Sequence, residues 1–171
     1  MSKQTKVIKW CKSKYDDNSE EWTQKAKKWS EDGKFFFGSG KYKCNLFVYD
    51  ALVSNGVSVT TFIKNGEEWP PNTKEWFDGE VDGFELVGKG IDGLNKSWPG
   101  DICVIYKTQL LFIPIEHHIG FIYGPKQTIS ASPNGIVIND WGWRKFDYYS
   151  ERYIEHINGV NLNVKIYRYH P

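Results

Sequence analysis

Apolar and polar positions alternate in two different rhythms along this chain. In the first third, apolar residues recur at helical spacing. Val7, Ile8, Trp10 and Cys11 mark one short helix, and Trp22, Ala26 and Trp29 extend the same rhythm. Residues 31–43 mix a buried-looking Phe35-Phe36-Phe37 with glycines and read as a loop that leads into the next helix. From Cys44, the run CNLFVYDALVSNG puts Leu46, Phe47, Ala51 and Leu52 on one face, with Val48 at its border. Asn55 and Gly56 supply a stop, so this is the central helix, and Cys44 falls in its first turn. Residues 57–98 hold Pro70-Pro71 and several glycines without a clean period. Short helices and loops are expected there, with TKEWFDG the best helical stretch.

After Pro99-Gly100-Asp101, a turn, the rhythm changes. ICVIY, LLFIPI, HIGFIYG, QTISAS, GIVIND and VKIYRYH are short, rich in β-branched and aromatic residues, and separated by turn residues. Helices first and an antiparallel sheet after predict an α+β fold. No repeat, low-complexity linker or boundary divides the chain, and residues 1–171 are expected to form a single domain.

Composition narrows the possible functions. The 22 basic and 21 acidic residues leave a net charge of +1, which disfavours nucleic acid as a partner. Eight tryptophans and ten tyrosines exceed what one core holds, so some rings should line a surface or groove. No segment approaches the roughly 20 apolar residues of a membrane span. The N-terminus carries no apolar run long enough for an export signal. The chain is therefore expected to be made in the cytoplasm without membrane insertion, or to be a piece whose signal is elsewhere.

Three cysteines with no tight spacing suit neither a disulfide framework nor a metal site, and no cofactor is implied. Cys103, inside ICVIY, reads as core, and Cys11 packs against the first helix. Cys44 is different. A cysteine at a helix start can be lowered in pKa by the helix dipole and by an imidazole, which also returns the proton to a leaving amine. Lys41 and Lys43 add positive charge beside it. His118 opens an apolar strand. His117, its neighbour, points to the opposite face of that strand and reads as an exposed edge residue. His156 and His170 have no such surroundings. Asp78, Glu80 and Asp82 are too irregularly spaced for a two-carboxylate glycosidase site.

The order KCNLFVYDAL, WPGDICVIY, HHIGFIYG, TISAS and GIV resembles the NlpC-type peptidases and their relatives among papain-like amidase toxins. The resemblance spans about residues 38–140. It implies a papain-like fold in which the nucleophile, at a helix N-terminus, packs on a C-terminal antiparallel sheet. By the same resemblance Cys44 takes the nucleophile's place, His118 the base's, and Ser130 the third polar position. Many family members have histidine there, and Asn139 and Asp140, one strand later, are rival orienters. Asn45, Asp140 and Trp141 are candidate substrate contacts. Trp141 and Trp143 flank a glycine and could line a groove, and Arg144 could pair with a peptide carboxylate. Chain order separates this arrangement from the lecithin-retinol acyltransferase relatives, whose cysteine follows the histidine strand.

The implied activity is amide hydrolysis within peptidoglycan stem peptides through a thioester, without cofactor. An enzyme lacking its own signal needs delivery to the cell wall. Type VI secretion, which injects related amidases into competitors, is one route, and phage lysis is another. The secretion route implies a cognate immunity protein that plugs the groove. Two other classes fit the same residues: a glycan- or peptide-binding module without turnover, and a cysteine deamidase or transglutaminase-like effector acting on proteins.

Overall fold

A computed structural model describes residues 1–106, 117–124, 127–140, 145–147, 152–154, 156–157, 160–161 and 164–170. Its elements, in chain order, are α1 (Lys3–Asp16), β1 (Lys28–Trp29), β2 (Phe36–Phe37), α2 (Cys44–Val53), β3 (Phe62–Lys64), β4 (Glu67–Trp69), α3 (Thr73–Asp78), β5 (Phe84–Lys89), α4 (Gly90–Lys96) and β6 (Ile102–Tyr106). They continue with β7 (His117–Gly124), β8 (Gln127–Ser132), β9 (Gly135–Asp140), β10 (Lys145–Asp147), β11 (Arg152–Ile154), β12 (His156–Ile157), β13 (Val160–Asn161) and β14 (Val164–Tyr169). The chain is thus α+β. The stretch LLFIPI lies outside the described residues.

The main sheet has six strands in the order β5-β14-β6-β7-β8-β9, every neighbouring pair antiparallel. The last strand, β14, enters between β5 and β6 and so ties the C-terminal end of the chain into the middle of the fold. One sheet face, carrying Ile102, Val104, Ile119, Phe121, Ile129 and Ala131, joins α2 in the larger core. The other, carrying Cys103, Ile105, Ile122 and Ile166, is closed by Leu94 of α4. Position 88 meets α4 with no side chain on either partner: a Cβ on Gly88 would stand 2.8 Å from the Gly93 Cα.

α1 forms where expected. The Ser2 side chain accepts the Thr5 N–H as its cap, and Val7 and Cys11, one turn apart, are buried. α2 departs from a one-faced helix, since eight of its ten residues are buried, Cys44 and Leu46 to Leu52. A helix enclosed on all sides needs no polar face. α3 is the TKEWFDG helix, set by a full capping box between Asn72 and Glu75 and ended by Gly79 at φ 77°.

The helical rhythm of Trp22, Ala26 and Trp29 does not become a helix. That segment is turns followed by β1. Its polar groups are held from outside. Lys43 Nζ donates to the Thr23 and Gln24 carbonyls, and the Gln24 N–H donates to the Pro133 carbonyl. Trp22 is buried edge-on against Trp10 and Phe47, and its indole N–H donates to Asp50 at 2.9 Å. Tertiary partners override the local period. β5 is a strand within the stretch where the sequence predicts short helices and loops.

Asp101 anchors the turn before β6. It is buried, accepts the Trp98 N–H, and takes both Nε (2.9 Å) and Nη2 (2.7 Å) of Arg168 from β14. Arg168 in turn lies over the Trp98 ring, 4.1 Å from its centroid.

Candidate active site

Cys44 begins α2, and its side chain is 8% exposed. Its sulfur lies against the start of β7. There the backbone N–H groups of Asn45 and Ile119 and the Thr73 hydroxyl are its nearby polar neighbours. These donors favour the thiolate, but burial outweighs them and holds the thiol above its ordinary pKa. The expected lowering by the helix dipole and neighbouring cations therefore does not prevail. Lys43 explains part of this. Its ammonium is turned inward onto the carbonyls of Thr23 (2.9 Å), Lys41 (3.2 Å) and Gln24 (3.5 Å), and burial pushes its own pKa down.

His118 projects from β7, and its Nε2 lies 2.9 Å from the Ser130 hydroxyl oxygen on β8. Gly120 makes this approach possible. A Cβ there would stand 2.5 Å from the Ile129 carbonyl oxygen and 2.7 Å from the Ser130 Cβ. Residues 118 and 120 share a strand face, so the glycine lets Ser130 come in beneath the ring. Burial lowers the His118 pKa to about 4, and near neutrality both sulfur and imidazole are uncharged.

Cys44, His117 and His118 border one cavity of about 120 Å³, together with Gln24, Tyr42 and Ser132. A larger cavity, about 340 Å³, adjoins it at His117 and is lined by Asn72, Thr73, Lys74 and Tyr106. The register pairs Tyr106 with His117 and Ile105 with His118, so His117 shares its strand face with Ile119 and Phe121, which pack on α2, while His118 shares the opposite face with Gly120 and Ile122 and reaches the cavity at the end of the strand. His117 is exposed and stacks on Tyr106 with centroids 4.2 Å apart. It is also a neighbour of the Cys44 cavity, which its reading as an edge residue did not include.

The remaining candidates fall elsewhere. The Asn45 amide donates to the Pro71 carbonyl at 3.4 Å and joins α2 to the segment ahead of α3. Asn139 is exposed on β9, paired with Thr128, and Asp140 pairs with Gln127. Trp141, Trp143 and Arg144 lie outside the described residues. Cys11 and Cys103 are fully buried. His170 faces Glu85, and Asp78 pairs with Lys74. Thr73, buried at the start of α3 after the Asn72–Glu75 capping box, lines the larger cavity and is marked in the sequence only by that box. Among the described residues, no group of three or more His, Cys, Asp or Glu could hold a metal ion, and no helix is long and apolar enough to cross a membrane.

The chain matches no protein-family model, and no curated protein matches it.

Proposed function

We propose that this chain is a cysteine amidase of papain-like architecture that hydrolyses an amide bond in the stem peptides or cross-links of peptidoglycan. The observation that carries the reading is the shared cavity. Cys44 at the head of the central helix and His118 on the sheet border the same space, and Ser130 holds the His118 ring from β8. With Nε2 facing Ser130, exchange of the thiol proton falls to Nδ1. The sulfur attacks the carbonyl carbon as its proton passes to the imidazole. The N–H groups of the first turn of α2 meet the developing oxyanion. The C–N bond then breaks, the amine leaves with the imidazole's proton, and a thioester remains. Water, deprotonated by the same ring, releases the acid and restores the thiol. The cavity beside Cys44 and the larger one share His117, which offers an extended peptide a path from one to the other. The chain reaches the cell wall by delivery, as an antibacterial effector opposed by an immunity protein.

The test is incubation with purified peptidoglycan and mass spectrometry of the released fragments, beside Cys44→Ala. Stem-peptide fragments from wild type and none from the variant are expected. Identical products from both, or none from either, would sink the reading. The buried, protonated thiol favours one second reading, a stem-peptide-binding module without turnover. It predicts that wild type and Cys44→Ala sediment equally with peptidoglycan while neither releases fragments.

A further inference from the structure

Two cavities meet at His117, and among the described residues that border them none is Asp or Glu. The chain as a whole is balanced, with 21 acidic residues against 22 basic ones, so this exclusion is local. The charged residues that do border the cavities are lysines, Lys43 on the smaller and Lys74 on the larger. Lys43 is already satisfied, its ammonium turned onto the Thr23 and Lys41 carbonyls. Lys74 is open to more. Its side chain is 59% exposed, and its ammonium pairs with Asp78, one turn along α3. An ammonium has three N–H donors, so a second carboxylate can join the first. The rest of the wall also donates. Asn72 Oδ1 already accepts the N–H groups of Lys74 (2.9 Å) and Glu75 (3.1 Å), which leaves its amide nitrogen as the free end. Tyr106 stacks on His117 with centroids 4.2 Å apart and so steadies the wall that the two cavities share. At about 340 Å³ the larger cavity takes an amino-acid side chain. A carboxylate brings the acceptors and the negative charge that these walls lack, whereas a cationic group would meet Lys74 with no acid on the wall to offset it.

We propose that the larger cavity is a specificity subsite for a carboxylate, with Lys74 as the residue that selects it, so that the peptide presented to Cys44 carries a free acid beside the amide that is cut. This rests on the reading of the Cys44 cavity as the place of hydrolysis. Lys74 meets no reacting atom and acts on binding. Because its pairing is partly exposed, the selection is modest and weakens with added salt. Asp78 competes with the substrate for the same ammonium, so removal of its charge sharpens the selection. A Lys74 that only closes an i,i+4 pair on α3 would alter helix stability and leave the choice of peptide unchanged.

The probe is a synthetic stem tetrapeptide in two forms, one with its carboxylates free and one with them amidated. Binding of each is measured by calorimetry at low salt to Cys44→Ala, chosen to prevent turnover, and to the same protein carrying Lys74→Gln or Asp78→Asn, with a thermal melt of each. The free acid should bind about fivefold more tightly than the amidated form, the span of a partly exposed charge pair. Lys74→Gln should bring that ratio to about one while leaving the affinity for the amidated form unchanged, and Asp78→Asn should widen it. A ratio near one in the parent protein overturns the proposal, as does binding of neither form or a ratio that survives Lys74→Gln. Fragment release from peptidoglycan by the chain with Cys44 intact is scored separately. Fragments from a protein without the acid preference overturn the subsite and leave the hydrolase standing. A preference that depends on Lys74, in a protein that releases no fragments, sinks the hydrolase and leaves the subsite.

Discussion

His117 and His118 stand side by side on β7 and border the same cavity, yet their surroundings differ. His118 is held by Ser130 and kept neutral by burial down to about pH 4, whereas His117 is exposed and stacked on Tyr106. A general base contributes roughly 10²-fold or more to rate. His118→Ala should therefore lower peptidoglycan cleavage by at least about 100-fold, and His117→Ala by less than about tenfold, as measured by fragment release. The opposite ranking would transfer the base's role to His117. At this scale the sequence was informative where order mattered. The resemblance in chain order picks out Cys44, His118 and Ser130; Cys44 and His118 border one cavity, and Ser130 holds the His118 ring. Thr73 carries no such signal, because its place beside His117 follows from the packing of α3 on β6 and β7. The state of the thiol was misread for a related reason: burial is a property of the packed molecule, and it exceeds the local help from the helix start.

Among the elements, β7 and β8 show how a strand pair can be shaped for a side chain. The missing Cβ at Gly120 is what lets Ser130 approach. Gly120→Ala would press a methyl group into the Ile129 carbonyl and the Ser130 Cβ. Overpacking of this kind costs about 1–3 kcal/mol. The expected result is a lower melting temperature together with a loss of cleavage larger than that of Ser130→Ala, because the ring loses its partner and its seat. Cleavage equal to wild type would show that the close approach is incidental. Strands and helices differed in legibility. β8 and β9 match their predicted runs closely because each pairs with a neighbour in the sequence across a short connection. β5 was missed because its partner, β14, lies near the other end of the chain. The false helix around Trp22 arose because three apolar rings at helical spacing were answering to Trp10, Phe47 and Asp50, none of them local.

In the whole molecule, two buried titratable groups set opposing dependences of stability on pH. Asp50, 0% exposed, is pushed up to about 7 by burial, although the Trp22 indole and the Glu31 N–H both donate to it. The folded state keeps this proton when the unfolded chain, at its ordinary value near 4, has released it. Its contribution is therefore greatest in acid and is lost as pH rises toward 7. His118 has the reverse sign. Its folded pKa of about 4 lies below the ordinary value near 6.5, so its contribution is complete above that value and is lost as pH falls toward 4. Each is on the order of 3 kcal/mol, and they largely cancel between pH 4 and 6.5. Denaturant melts should accordingly be nearly flat across that range in wild type. They should slope downward with rising pH in His118→Gln and upward in Asp50→Asn. Parallel curves for all three would show that neither group titrates as described.

The three cysteines have a practical consequence at this same scale. All are free thiols, but Cys11 and Cys103 are sealed at 0% exposure while Cys44 sits at the wall of a cavity. For a small electrophile the native chain presents a single address. A labelled thiol-directed probe should thus label Cys44 once per molecule without any cysteine being engineered away. The appearance of second and third labels would report unfolding, so one reagent would read occupancy of the site and integrity of the core.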